Sequence, residues 1–123
     1  MEELTKKEEE VMQVIWHLKE VFVKDIIEHL DPTNSIPYNT ISSIVRILEK
    51  KGYVGYKAFG KTYQYYPLIS KMQYRKFSFS RVLDNYFDDS VENLLSFMVK
   101  EKKLSSGDIQ KIEELIKRNE DHE

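Results

Sequence analysis

PYNTISSIVRILEKKGYV, residues Pro37 to Val54, reads as one amphipathic helix that a glycine stops and a strand follows. Ile41, Ile44, Val45 and Leu48 fall at i, i+3, i+4 and i+7, the spacing of a single buried face. At about 100° per residue the opposite face carries Asn39, Ser43, Arg46 and Lys50, with Thr40 and Ser42 on its flanks. A helix face that merely meets water usually mixes Glu with Lys in i,i+4 pairs. This one has short polar groups at its start, cations toward its end and Glu49 as its only acid. Short donors and acceptors with a long Arg are what base edges and phosphates require of a helix lying in a groove. Pro37 suits the first turn, where its missing N–H costs nothing. Lys50, Lys51 and Gly52 put cations on the negative end of the helix dipole, then a residue that turns left-handed. At this point an ordinary surface helix remains open.

The flanks narrow the choice. Thr5-Lys-Lys-Glu8 matches a capping box and starts a first helix, whose stripe of Val11, Met12, Ile15, Trp16 and Leu18 assigns Trp16 to the core. Val21 to Val23 is a minimal strand or an extended link, and Lys24–Leu30 a short second helix with Ile26, Ile27 and Leu30 inward. Asp31-Pro-Thr-Asn-Ser35 is a turn. After Gly52, strand-like Tyr53–Phe59 and Thr62–Pro67 flank Gly60-Lys61, which reads as a hairpin. Cross-strand pairing accounts for its tyrosines. Lys57 and Lys61 near the tip have no such reason and point to phosphate contact. Three helices and a hairpin are the order of a winged helix-turn-helix, with Ser35–Lys51 as recognition helix and Gly60-Lys61 as wing tip.

Beyond Pro67 the pattern is helical throughout. Ser70-x-x-Gln73 opens a helix to about Phe87 that is apolar on a broad front, including Tyr74, Phe77, Val82, Leu83, Tyr86 and Phe87. Asp88-Asp89-Ser90 starts another, with Val91, Leu94, Leu95, Met98 and Val99 on one stripe and Phe97 well off it. Ser105-x-x-Asp108 opens the last, carrying Ile109, Ile112, Leu115 and Ile116. Three short helices cannot close a core of their own in about fifty residues. A second copy of the chain is the expected cover, with folding back onto the winged helix as the alternative. The expected architecture is therefore mainly α with a small β-hairpin. Residues 1–68 form a winged-helix DNA-binding domain and 69–123 a helical dimerisation region, using Tyr74, Phe77, Leu83, Tyr86, Leu94, Leu95, Phe97, Met98, Ile112 and Ile116.

Charge supports a polyanion partner. The net charge of −2 hides its distribution, because residues 36–81 carry nine Lys and Arg against one acid, +8, between two ends of −5 each. No apolar run approaches the roughly 18 residues a bilayer span needs, so no membrane insertion is expected. The acidic start MEELTKKEEE is no signal peptide. With no cysteine there is no disulfide framework or thiolate metal site, which fits a cytoplasmic protein. His17, His29 and His122 are scattered, and no H-E-x-x-H, phosphate loop or G-x-S-x-G occurs. An enzyme is not expected, nor a metal or cofactor.

The order LTKKEEEVMQVIW, FVKDIIEHL, YNTISSIVRILEKKGYV, GKTYQYYP resembles the penicillinase-repressor family, the BlaI/MecI/CopY group, from about Leu4 to Met98. The resemblance implies a dimeric winged-helix repressor on a palindromic operator. It puts Tyr38, Asn39, Thr40, Ser42, Ser43 and Arg46 at the DNA-facing part of the recognition helix and makes Gly60 and Lys61 the wing tip. Many members have Arg where this chain has Ile47, so the cation at Arg46 is displaced by about 100° and the operator is expected to differ. In several members a membrane-bound zinc protease sensor cuts the dimerisation region before a phenylalanine, usually after Asn. The matching bond here is Ser96–Phe97, a partial match. Two rivals stay open: release by a small molecule bound between the C-terminal helices, and a winged helix used only for protein contacts.

Overall fold

The structure, a computed structural model, describes residues 1–121, so His122 lies outside the described residues. Six helices, α1 (Lys6–Leu18), α2 (Val23–Leu30), α3 (Tyr38–Lys50), α4 (Lys71–Phe87), α5 (Val91–Lys100) and α6 (Ser106–Asp121), accompany one antiparallel hairpin, β1 (Val54–Phe59) and β2 (Thr62–Pro67). The chain forms two compact units that part between Phe77 and Ser78.

The first unit is the winged helix expected from the sequence. Thr5 and Glu8 close the capping box of α1, each side chain accepting from the other's backbone N–H at 3.2 Å. Val11, Met12 and Ile15 of α1, Ile26 and Ile27 of α2 and Ile41, Val45 and Leu48 of α3 share one core with Tyr53, Val54 and Tyr65. The short apolar run after α1 is strand-like at one residue: Val21 and Tyr65 exchange two backbone hydrogen bonds, which ties the α1–α2 link to β2. Between α2 and α3 the Asp31 carboxylate accepts from the backbone N–H and hydroxyl groups of both Thr33 and Ser35. Those bonds hold its carboxyl well below the usual carboxylate range. They make a wound turn that fixes how α3 leaves α2.

The far end of α3 is tied down as firmly. Gly52 takes φ +83°, and Tyr53 N–H returns to the Leu48 carbonyl at 2.9 Å. Lys51 Nζ then meets Glu8 Oε1 at 2.6 Å and the Glu3 carbonyl at 3.1 Å, while the Tyr53 hydroxyl donates to the Glu2 carbonyl. Residues 2–8 thus strap the end of α3.

The first unit runs past Leu68. The Trp16 indole N–H donates to the Ile69 carbonyl at 2.9 Å. Tyr74 is 9% exposed, its ring lies 5.7 Å from Trp16 and 5.8 Å from Tyr53, and its hydroxyl donates to Glu9 at 2.6 Å. Phe77 packs partly buried against the same core. Tyr74 and Phe77, expected at a dimer contact, are therefore spent on their own chain. The Ser70–Gln73 cap starts α4 directly after the hairpin, so its first turns still belong to the winged helix.

One glycine in the hairpin is needed for space. Gly55 pairs with Tyr66, whose ring lies 2.8 Å from where a Cβ on Gly55 would sit. Gly55→Ala is expected to cost about 1–2 kcal/mol by forcing the ring aside, read as a lower urea midpoint with an unchanged slope. Tyr66→Ala in the same background should remove most of the penalty.

The second unit holds the rest of α4, α5 and α6. Asp88 and Asp89 at positive φ turn the chain, Ser90 caps α5 and Ser105 caps α6. Its apolar surface is poorly covered. Leu83 is buried, but α5 contributes no buried residue, and Phe79, Val82, Val91, Val99, Ile109 and Leu115 are all exposed.

Candidate nucleic-acid interface

Every other helix of the described residues begins on a side-chain cap or an acid: Thr5 with Glu8, Asp25, Ser70, Ser90 and Ser105. α3 begins on Pro37, without a side-chain cap and without an acid in its first turn. The Thr40 N–H donates to the Pro37 carbonyl at 3.1 Å, and no side chain caps the N–H groups ahead of it at the positive end of the helix dipole.

Along α3, Tyr38, Asn39, Thr40, Ser43, Arg46, Ile47 and Lys50 are exposed, and Ser42 is half-buried. Asn39, Ser43, Arg46 and Lys50 make the central stripe. Arg46, Glu49 and Lys50 form one wall of a cleft whose other wall is Tyr56, Tyr63 and Tyr65 of the hairpin. The three rings are packed together, Tyr56 lying 4.6 Å from Tyr63 and 6.1 Å from Tyr65. Burial pushes the Tyr65 hydroxyl above its usual range and Glu49 adds to that, with Arg46 opposing. Tyr65 therefore stays a neutral phenol that packs, while Tyr56 and Tyr63 remain exposed and present hydroxyls beside two cations.

Cross-strand packing alone does not account for where Tyr56 and Tyr63 lie. The signal that places them was available: a two-residue turn at Gly60-Lys61 pairs Phe59 with Thr62 and hence Tyr56 with Tyr65. Alternation along the strands then puts Tyr56, Tyr63 and Tyr65 on one face. The same alternation separates Lys57 from them. Lys57 lies on the other face, 5.9 Å from the centre of the Tyr66 ring, and is not part of the cleft. Gly60 takes φ +60° at the tip, beside exposed Lys61. Thr40 sits on the opposite flank of α3, in a groove lined also by Ile36, Ile41 and Ile44.

In the second unit, Leu94, Leu95, Met98 and Ile112 are half-buried, whereas Tyr86 is 77% exposed, Ile116 55% and Phe97 49%. The Phe97 ring touches Phe87 at 5.4 Å, so it is partly covered by its own chain. Ser96 and Phe97 lie inside α5, and the Phe97 carbonyl still accepts the Glu101 N–H at 2.9 Å. His17 and His29 are surface residues with rings 5.6 Å apart, and the described residues hold no group of three potential metal ligands. No helix among them is long and apolar enough to cross a membrane.

A family model described as penicillinase repressor matches residues 4–118. The methicillin resistance regulatory protein MecI of Staphylococcus aureus (strain N315) is 25% identical over 114 residues, which is 93% of each chain. The penicillinase repressor of Bacillus licheniformis is 22% identical over 114 residues, covering 93% of this chain and 89% of that one. Among solved structures, the DNA-binding domain of the repressor BlaI superposes with a TM-score of 0.51 at 29% identity, over 58% of this chain and 88% of that domain.

Proposed function

The chain belongs to the penicillinase repressor family, a family of transcriptional repressors and not of enzymes, and from that premise we propose how it represses. The first unit binds double-stranded DNA through α3, laid in the major groove with the hairpin as its wing. The observation that carries this is the exposed face of α3. Its start is uncapped and acid-free, and Arg46 and Lys50 share a cleft with Tyr56 and Tyr63. Open amides and tyrosine hydroxyls suit phosphates, and Asn39, Ser43 and Arg46 suit base edges. The second unit joins two copies through apolar residues that one chain leaves exposed. A two-fold dimer calls for a palindromic operator with half-sites one helical turn, or a multiple, apart. Induction cuts Ser96–Phe97 through a membrane-bound metalloprotease sensor.

Base reading and phosphate contact separate in a titration. Arg46→Ala is expected to cost about 1–3 kcal/mol at the operator and much less on random DNA. Lys61→Ala should weaken both alike and flatten the salt slope by about one unit. Binding isotherms at several salt concentrations decide. An operator-to-random ratio untouched by Arg46→Ala would remove Arg46 from base reading. Release of the operator under induction by a chain that stays intact would rule out cleavage and point instead to a small-molecule signal.

A further inference from the structure

Ile47 is 42% exposed on the helix just assigned to DNA, although every other aliphatic residue of α3 turns inward. Single exposed aliphatics are common on protein surfaces and mean nothing alone. The surroundings of this one are specific. Ile47 follows Thr40 by seven residues, so the two share one edge of α3 about 100–120° round from Arg46, and Ser43, four residues before Ile47, lies between that edge and the central stripe. The other edge, toward the wing, holds the long cations and the tyrosines. Thr40, Ser43 and Ile47 are short, so they meet a surface only where this part of the helix backbone comes close to it. The hydroxyls of Thr40 and Ser43 suit base edges, and a major groove offers one apolar group, the thymine 5-methyl. A β-branched side chain in a helix is confined at χ1, so Ile47 holds its methyl groups in place at little entropic cost.

We infer that Ile47 reads a thymine through its 5-methyl group, making this edge of α3 select an A·T pair in each half-site where Arg46 selects on the other edge. The inference rests on α3 being the DNA-reading helix, and the experiment tests the two separately. The intact chain is used to select its best site from random duplex DNA, and each thymine of that site is replaced in turn by deoxyuridine, which removes only the methyl. One or two positions per half-site should weaken about four-fold, the worth of one buried methyl-sized group. Ile47→Ala should lose a similar factor on the thymine site and show no further loss on deoxyuridine at that position. Alanine is a good helix former at an exposed site, so the helix is retained. Deoxyuridine penalties equally large in Ile47→Ala, or absent from the unsubstituted chain on a tightly bound site, would overturn the inference and leave DNA binding standing. A chain that selects no site would overturn both.

Discussion

Lys51→Met is expected to cost about 3 kcal/mol at pH 7, at the lower end of what removing one partner from a buried ion pair costs. Glu8 is 5% exposed, and Lys51 Nζ stands 2.6 Å from its carboxylate. Burial alone would push the Glu8 carboxyl up; the Lys51 hydrogen bond and charge, with the Thr5 backbone N–H, outweigh it and hold the group below its usual range. A carboxyl lowered in the folded state stabilises the fold above its unfolded value of about 4.3, and that contribution fades as pH falls through the folded value. Without Lys51 the burial cost is no longer outweighed, so protonating Glu8 relieves the variant rather than harming it. The gap between the two proteins should therefore be widest at neutral pH and should narrow below about pH 4. Urea denaturation at pH 7 and pH 3 measures it. A gap equal at both would assign the loss to packing of the lysine stem. Glu8→Gln combined with Lys51→Met keeps a capping-box side chain and removes the stranded charge, so it should regain most of the stability.

That pair also marks what the sequence could not show. The helices and the hairpin were legible because local rules write them: i, i+3, i+4 spacing for α3, capping boxes for α1, α4 and α6, and a glycine turn between β1 and β2. Glu8 and Lys51 are 43 residues apart, and nothing local announces their contact. The end of the first unit failed to show for a related reason. Pro67 and Ser70 mark where one element stops, but not which core the next one joins. An apolar Tyr74 reads the same whether its own chain or a partner covers it, and it is the rings of Trp16 and Tyr53 that do. The tyrosines of the wing were half legible: their shared face followed from register, but its position against Arg46 and Lys50 required the fold.

A chain ending at Ser96 is expected to bind the operator roughly 10²–10⁴-fold more weakly than the intact protein, the range by which linking two sites raises affinity. The cut removes Phe97, Met98 and all of α6 with Ile112 and Ile116, so about half of the apolar residues proposed for the dimer go with it. Each winged helix keeps its own contacts but loses the effective concentration that a tethered neighbour supplies. The first unit should be indifferent to the loss, since its compact body ends at Phe77. A control ending at Phe77 should thus unfold cooperatively and bind a half-site as weakly as the Ser96 product. One ending at Leu68 should be unstable, because it strips Tyr74 from the core. Light scattering gives the assembly state of each, and titration on full and half operators gives the affinities. A monomeric intact chain would end the dimer reading, and a Ser96 product that stayed dimeric and tightly bound would end cleavage as the release step. The bond itself is protected as it stands: it lies within α5, and a helical backbone does not enter a protease cleft. Cutting requires α5 to open first, and within a single chain α5, ten residues long, has no fully buried residue to hold it closed. Replacing Ser90 by alanine removes the cap on the Asn93 N–H, so it should raise the rate of cleavage, read as the rate at which the Ser96 product accumulates by mass spectrometry.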